Sequence, residues 1–107
     1  MTILILERYV IKHGKEDDFK RLWQRTLRFK QEKPKMLKEL RSLKLYTQMF
    51  GDISGSKIEI SEFDSLTDYE NLSARVMEDE EMKKIHAEFM ALKDLTTYKM
   101  EVLNANK

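Results

Sequence analysis

The chain has 107 residues, of which 36% are charged and none is cysteine, and its formal net charge is +1. A chain of this length forms one domain with one core, and the lack of cysteine excludes disulfides, thiolate nucleophiles and cysteine metal clusters. The longest aliphatic run, Ile3-Leu4-Ile5-Leu6, is too short for a membrane span or signal peptide, so we expect a cytoplasmic protein with no membrane partner.

The first segment predicts a strand followed by a helix. Residues 2–12 are β-branched or aromatic and apolar on both alternating faces, so both faces of this strand require cover. His13 and Gly14 form a solvent-facing turn, and the acidic residues 16–18 favour a helix start. The apolar side of this helix carries Phe19, Leu22, Trp23, Thr26, Leu27 and Lys30. Pro34 interrupts the helix, and residues 36–40 predict one more short turn.

Two strands joined by a hairpin follow. Residues 43–50 and 57–63 have the strand pattern, and Gly51 and Gly55 allow positive φ in the connection. We expect Ile58 and Ile60 to point inward.

The C-terminal part predicts a helix in two sections and a last strand. Ser65 and Asp79 stand at the cap positions of the two sections. The second section carries the stripe Met82, Ile85, Phe89 and Leu92, and residues 96–103 alternate as a strand.

This order predicts a single α+β domain over residues 1–107, the ferredoxin-like βαββαβ arrangement. Right-handed crossovers place both helices on one face of a four-stranded antiparallel sheet. The other face is also apolar, and an identical subunit is its simplest cover. We therefore expect a homodimer paired through the sheet.

Several motifs resemble those of the NIPSNAP family. The segment Glu7-Arg8-Tyr9-Val10-Ile11-Lys12-His13-Gly14-Lys15, followed by Phe19 and Trp23, is similar to the opening signature of that family. The resemblance continues through Gly55, the strand at 58–63, the Ser65-Leu66 turn and the helix with Arg75, and so covers nearly the whole chain. It implies a dimeric α+β barrel, in which the sheets of two subunits form the barrel.

The chain departs from the family pattern at three positions. His13 stands where the family usually has proline, and Ile60 and Met82 replace tryptophans. Relatives in the superfamily include cofactor-free monooxygenases, haem-degrading enzymes, isomerases and small-molecule sensors, and the fold does not choose among them.

The aromatic residues predict a small-ligand cavity between sheet and helices, lined by Tyr9, Trp23, Tyr46 and Phe89. Rings at this spacing also serve as ordinary core. His86 is the candidate catalytic residue at the cavity edge, because an imidazole can ligate haem iron or move a proton. Its helical position at the boundary of the apolar stripe leaves a partly exposed structural histidine as the alternative.

Charged residues in the strands need partners. Glu7 and Arg8 lie mid-strand, and Glu59, Glu62 and Gln48 are the candidate partners in a structural ion pair, with an acid–base role as the alternative.

Charge is also divided along the chain: residues 1–44 contain thirteen Lys or Arg against six Asp or Glu, and residues 45–107 contain seven against thirteen. These halves attract each other. The alternative is an anion-binding surface at Arg21, Arg25, Arg28 and Lys35.

The leading hypothesis is a homodimer that binds a small apolar or aromatic ligand. A cofactor-free monooxygenase or haem-degrading enzyme is the first alternative, and a non-catalytic assembly protein is the second. No paired-carboxylate, HExxH, P-loop or GxGxxG motif is visible, and two distant histidines predict no protein-built metal site and no required cofactor, although haem is possible. Residues 57–63 contain two acids and lack paired rings, so nucleic acid is not an expected partner.

Overall fold

Within residues 2–51 and 53–106, four strands and three helices follow one another in the expected order. They are β1 (Ile3–Ile11), α1 (Glu16–Glu32), β2 (Ser42–Thr47), β3 (Lys57–Phe63), α2 (Leu66–Glu78), α3 (Glu80–Leu92) and β4 (Lys93–Asn104). The computed structural model describes residues 2–51 and 53–106. All strand pairs are antiparallel, in the order β2-β3-β1-β4, which confirms the ferredoxin-like α+β prediction.

The two faces of the sheet differ in what covers them. In β1, Ile3, Ile5, Tyr9 and Ile11 are buried against the helices, as the alternation predicts. The opposite face, called here the outer face, carries Leu4, Leu6 and Val10 of β1 and their neighbours. Ile60 pairs with Leu6, and Ile58 pairs with Arg8.

Ile58 and Ile60 therefore lie on the outer face, and the prediction that they point inward towards the helices is wrong. The strand register decides this, because directly paired residues share a face. Glu59 takes the inward position, opposite Glu7.

Two boundaries differ from the predicted ones by three residues. Strand β2 ends at Thr47 instead of residue 50, because Gln48 closes the hairpin by accepting a hydrogen bond from the Gly55 amide at 2.8 Å. Gly51 and Gly55 have φ values of +128° and +88°, as expected. Strand β4 begins at Lys93, directly after α3.

Helix α1 buries a slightly different stripe from the predicted one. Phe19, Leu22 and Phe29 are buried, whereas Leu27 is exposed. Phe29 lies two full turns beyond Leu22 and packs in the same cluster with Leu37, Met82 and Ile85, while Leu27 has rotated towards solvent. After α1, residues 34–39 form consecutive turns that begin at Pro34 and bury Leu37.

Helices α2 and α3 are capped as predicted. The Asp68 amide donates to Ser65 Oγ at 3.1 Å, and the Met82 amide donates to Asp79 Oδ2 at 2.9 Å. No helix within residues 2–51 and 53–106 is long and apolar enough to cross a membrane.

The core between the sheet and the helices consists of three adjoining apolar clusters. One contains Leu22, Phe29, Leu37, Met82 and Ile85, where α1 and α3 meet the turns. A second contains Ile3, Ile5 and Phe63, and the third contains Tyr9, Ile11 and Phe19. Phe89 packs against the first and third clusters.

Candidate functional site

A cavity of about 250 Å³ lies between the helix-facing side of the sheet and the three helices. Most of its wall is apolar and comes from all three helices and from the turns after α1, including Trp23, Leu37, Leu40, Leu72, Val76, Met82 and Phe89. The polar part of its wall comes chiefly from Glu7, Glu59, Lys93, Tyr98 and His86. Apolar walls with a few convergent polar groups are typical of small-ligand sites.

The predicted site residues are divided between this cavity and other places. Trp23 and Phe89 line the cavity, and His86 touches it although the residue is exposed to solvent, as expected for its position at the boundary of the stripe. Tyr9 is fully buried in the third cluster, where its ring packs edge-on against Phe19. Tyr46 is 48% exposed and pairs with Ile58 on the outer face. Tyr46 does not reach the cavity, because the helix-facing positions of β2 belong to its odd-numbered residues.

Two carboxyl groups face each other across β1 and β3 at the polar wall. Glu7 and Glu59 are direct cross-strand partners. The two carboxyl groups lie close enough to shift each other's pKa, and a hydrogen bond between them forms only when one of them keeps its proton. The Tyr9 hydroxyl donates to Glu59 Oε1 at 2.6 Å, and the Tyr98 hydroxyl donates to Glu7 Oε1 at 3.0 Å. Glu7 and Glu59 are called the carboxyl pair below.

The two members of the carboxyl pair ionise differently. Burial and the hydrogen bond and charge of Glu7 raise the pKa of Glu59 to about 8. Burial also opposes ionisation of Glu7, but hydrogen bonds from Glu59 and Tyr98 and the charges of Lys93 and His86 outweigh it, so the pKa of Glu7 is lowered. At neutral pH the pair therefore holds one proton and one negative charge.

Lys93 supplies the positive charge beside this pair. The residue is 6% exposed, and its Nζ lies 4.2 Å from the centroid of the Tyr9 ring. The same ammonium lies 5.5 Å from the Phe89 ring and 5.6 Å from the Tyr98 ring. Such contacts with aromatic faces stabilise a cation in a place with little water.

An irregularity in β4 makes this arrangement possible. The pairing of β1 with β4 shifts between Arg8 and Val10, whose β4 partners are Lys99 and Asp94. Thr97 fills the gap, since its hydroxyl accepts from the Val10 amide at 2.9 Å. In a regular strand Lys93 and Tyr98 would point to opposite faces. The bulge turns both towards the cavity, as bulges beside functional sites do.

Arg8 takes no part in this site. Its guanidinium lies on the outer face and donates to Gln48 Oε1 at 3.4 Å. The predicted partnership of Arg8 with Gln48 is therefore present, whereas Glu7 pairs with another acid instead of a base.

A larger surface groove of about 490 Å³ runs between α1 and α3 past the predicted anion-binding arginines. Arg25 forms an ion pair with Glu88 at 2.9 Å, and Arg21 forms one with Asp18. Acidic residues thus already neutralise two of these arginines, and the Arg25–Glu88 pair joins the basic and acidic halves of the chain as their attraction predicts. We regard the interior cavity as the site because it is better surrounded by side chains and combines apolar walls with buried polar groups.

Among the described residues, no three His, Cys, Asp or Glu side chains are grouped so that they could hold a metal ion. The cavity of about 250 Å³ is smaller than the pockets of roughly 300–1,000 Å³ that hold drug-sized ligands.

Sequence reasoning named Glu59 as one candidate partner of Glu7 and Arg8, with an acid–base role as the alternative, but did not place Glu59 directly opposite Glu7. Glu7 and Glu59 are 52 positions apart and belong to no local motif. The signal was present in the alternation, since Tyr9 was correctly predicted to be inward and Glu7 is two positions away on the same face. Only the register of β3 against β1 brings Glu59 to that position.

Comparison with known proteins identifies the fold. No protein family model matches the sequence, and no curated protein sequence matches it. A NIPSNAP family protein from Agrobacterium tumefaciens superimposes with a TM-score of 0.79 at 17% identity, over 100% of this chain and 95% of that one. The chain has the NIPSNAP fold. This agrees with the resemblance seen in the sequence motifs.

Two further structures extend this comparison. An uncharacterised NIPSNAP domain protein from Burkholderia xenovorans gives a TM-score of 0.72 at 16% identity, over 97% of this chain and 94% of that one. SnoaB, a cofactor-independent oxygenase from Streptomyces nogalater, gives 0.69 at 16% identity, over 99% and 94%. At these identities the likeness establishes the NIPSNAP fold and not an activity.

Proposed function

We propose that the protein is a cytoplasmic homodimer in which each subunit binds a small apolar or aromatic ligand in the cavity. The observation that carries the proposal is the cavity itself, about 250 Å³ with an apolar wall and one polar side. An apolar cavity of about 150 Å³ accommodates benzene. The present cavity therefore suits one substituted ring or two fused rings.

The outer face supports the dimer. It carries an apolar surface that no helix covers, formed by Leu4, Leu6, Val10, Ile58 and Ile60 with the exposed Tyr46 and Leu103 beside them. Monomers rarely expose a continuous apolar surface larger than a few hundred Å². A second copy of the same sheet provides a matching apolar surface, and a two-fold axis makes the contact closed.

A charge in the middle of the outer face tests the dimer. Ile60→Lys should give monomers in native mass spectrometry, whereas Gln24→Lys, on the exposed side of α1, should leave dimers. Dimers of normal stability from Ile60→Lys would show that this surface is not the interface.

The same spectra of freshly purified protein test ligand binding, because a retained small molecule adds mass to the subunit. Isothermal titration with 2-naphthol then provides a defined probe. Leu72→Trp fills the cavity, and the matched variant Leu66→Trp adds the same ring at an exposed position of the same helix. Loss of binding in the first variant alone supports the proposal. Equal binding by both variants would place the ligand elsewhere.

A second candidate is oxygenation without a cofactor, the activity named for SnoaB. The observation that favours it is that His86 lines the same cavity as the carboxyl pair. Oxygen uptake with 2-naphthol as substrate should then fall in His86→Ala while binding persists. Unchanged oxygen uptake would mean that His86 is a structural residue. A dimer that retains no small molecule and binds no aromatic probe would favour the non-catalytic assembly protein.

A further inference from the structure

The carboxyl pair is an unfavourable feature for which the fold alone gives no reason. Two carboxyl groups opposite each other on neighbouring strands repel each other when both are ionised, and half-buried carboxyl groups lose part of their hydration. Apolar side chains in place of Glu7 and Glu59 would join the core instead. Ile5 and Tyr9, on either side of Glu7 in β1, are already buried in it. Perturbed ionisable groups kept at a cavity wall are typical of chemical function.

We propose that the carboxyl pair is a proton-transfer centre that interconverts keto and enol forms of a small cyclic carbonyl compound held in the cavity. This inference rests on the proposed ligand-binding function and adds its substrate class, a carbon acid. Glu7, the ionised member, is the general base, and Glu59, the protonated member, is the general acid. Both are catalytic residues because they line the cavity that holds the substrate.

The chemistry balances within the pair. The carboxylate of Glu7 takes a proton from the carbon next to the carbonyl, and the electrons of that C–H bond form the new C=C bond. The carboxyl group of Glu59 gives its proton to the carbonyl oxygen, which becomes the enol hydroxyl. The pair has gained one proton and lost one, so no oxidant, reductant or other co-reactant is needed.

The surrounding groups favour this step. Tyr9 and Tyr98 hold the two carboxyl groups in place by hydrogen bonds of 2.6 and 3.0 Å. The Lys93 ammonium, fixed among three rings, lies beside the pair and stabilises negative charge that develops on the substrate oxygen. The aromatic wall at Trp23 and Phe89 suits a ring-containing substrate.

The charged and titratable groups facing the pair come from four elements. Strand β1 contributes Tyr9, β4 contributes Lys93 and Tyr98, and α3 contributes His86. Helix α2 contributes Tyr69, while α1 presents the neutral Trp23 and Thr26. The rate should decrease in acid when Glu7 becomes protonated, and decrease above about pH 8 when Glu59 loses its proton.

The test is hydrogen–deuterium exchange at the α-carbon of 2-tetralone, 2-indanone and cyclohexanone in D₂O, followed by NMR. Wild-type protein should accelerate exchange of at least one of them, and Glu7→Gln and Glu59→Gln should each lose about 100-fold or more of that acceleration. The control is Glu70→Gln, at an exposed position of α2. Glu59→Asp, which keeps the carboxyl group, should retain part of the rate.

Binding of the same three ketones, measured by quenching of Trp23 fluorescence, separates the two proposals. Retained binding in the Gln variants shows that they are folded and that only proton transfer is lost. Binding by wild-type protein without accelerated exchange would overturn the proton-transfer centre and leave the ligand-binding function intact. Failure of all three ketones to bind would overturn both.

Discussion

Replacement of Glu59 by glutamine should stabilise the protein at neutral and alkaline pH. The side-chain amide of glutamine can accept the hydrogen bond from Tyr9 and donate one to Glu7, so the local geometry is kept. The glutamine at position 59, unlike Glu59, cannot ionise.

The size of the effect follows from the raised pKa. The ordinary pKa of the group is 4.5 and that in the folded chain is about 8, so between these values the unfolded chain is ionised while the folded chain keeps its proton. Each pH unit in this range lowers the free energy of unfolding by about 1.4 kcal/mol. From about pH 5 to about pH 8 the wild-type protein should lose at most about 3–4 kcal/mol, and water entry near the ionised group reduces this to roughly 1–3 kcal/mol.

Urea unfolding from about pH 5 to about pH 8 at one fixed protein concentration measures this difference, since the stability of a dimer depends on concentration. The wild-type free energy should fall towards pH 8 relative to that of Glu59→Gln, with Glu70→Gln as the exposed control. Parallel pH profiles for wild type and Glu59→Gln would refute the idea that Glu59 is a buried, protonated acid.

Three further predictions concern stability, each measured by urea unfolding. Asp79→Ala removes the cap of α3 and should cost about 1 kcal/mol; no change would mean that the Met82 amide finds another acceptor. Phe19→Ala should cost about 3–5 kcal/mol because Phe19 packs on Tyr9, Trp23 and Phe89 together, and a cost below about 1 kcal/mol would contradict this packing. Hydrogen bonds from Arg75 lower the pKa of Glu39 to about 2. Glu39→Gln should therefore lower the free energy of unfolding above pH 4.5, and the two proteins should become equally stable as pH falls through 2. A difference in stability that does not change with pH would exclude the ion pair as its cause.

Much of the fold could be predicted because local patterns determine it. The alternation of β1, the caps at Ser65 and Asp79 and the turn at Gly14 depend on residues close together in the chain, and all are present. The end of β2 was placed too late because Met49 and Phe50 continue an apolar pattern although they lie in the exposed hairpin. Apolar character alone does not show where a strand loses its partner.

The candidate site was predicted only in part, for a reason of the same kind. Trp23 and Phe89 lie on the inward sides of their helices, which can be calculated from spacing, whereas His86 lies at the boundary and is exposed although it touches the cavity. The role of Glu59 depends on which residue of β1 it faces, and Lys93 and Tyr98 reach the cavity together only through the shift in β4 pairing. Strand register and bulges arise from the whole sheet and leave little trace in the local sequence.

The carboxyl pair also bears on how the rest of the subunit is packed. Because Glu59 keeps its proton in the folded chain, the free energy of unfolding falls as pH rises. The three apolar clusters around the cavity must therefore contribute enough stabilisation to offset this loss. The position of Phe19, in contact with three other rings beside the polar wall, fits this requirement. If the proton-transfer proposal is right, Glu59→Gln should be both more stable at pH 8 and inactive, which is the trade-off expected where function holds an unfavourable group in place. If Glu59→Gln gained stability and kept its full rate of exchange at the α-carbon, the carboxyl pair would not be the proton-transfer centre.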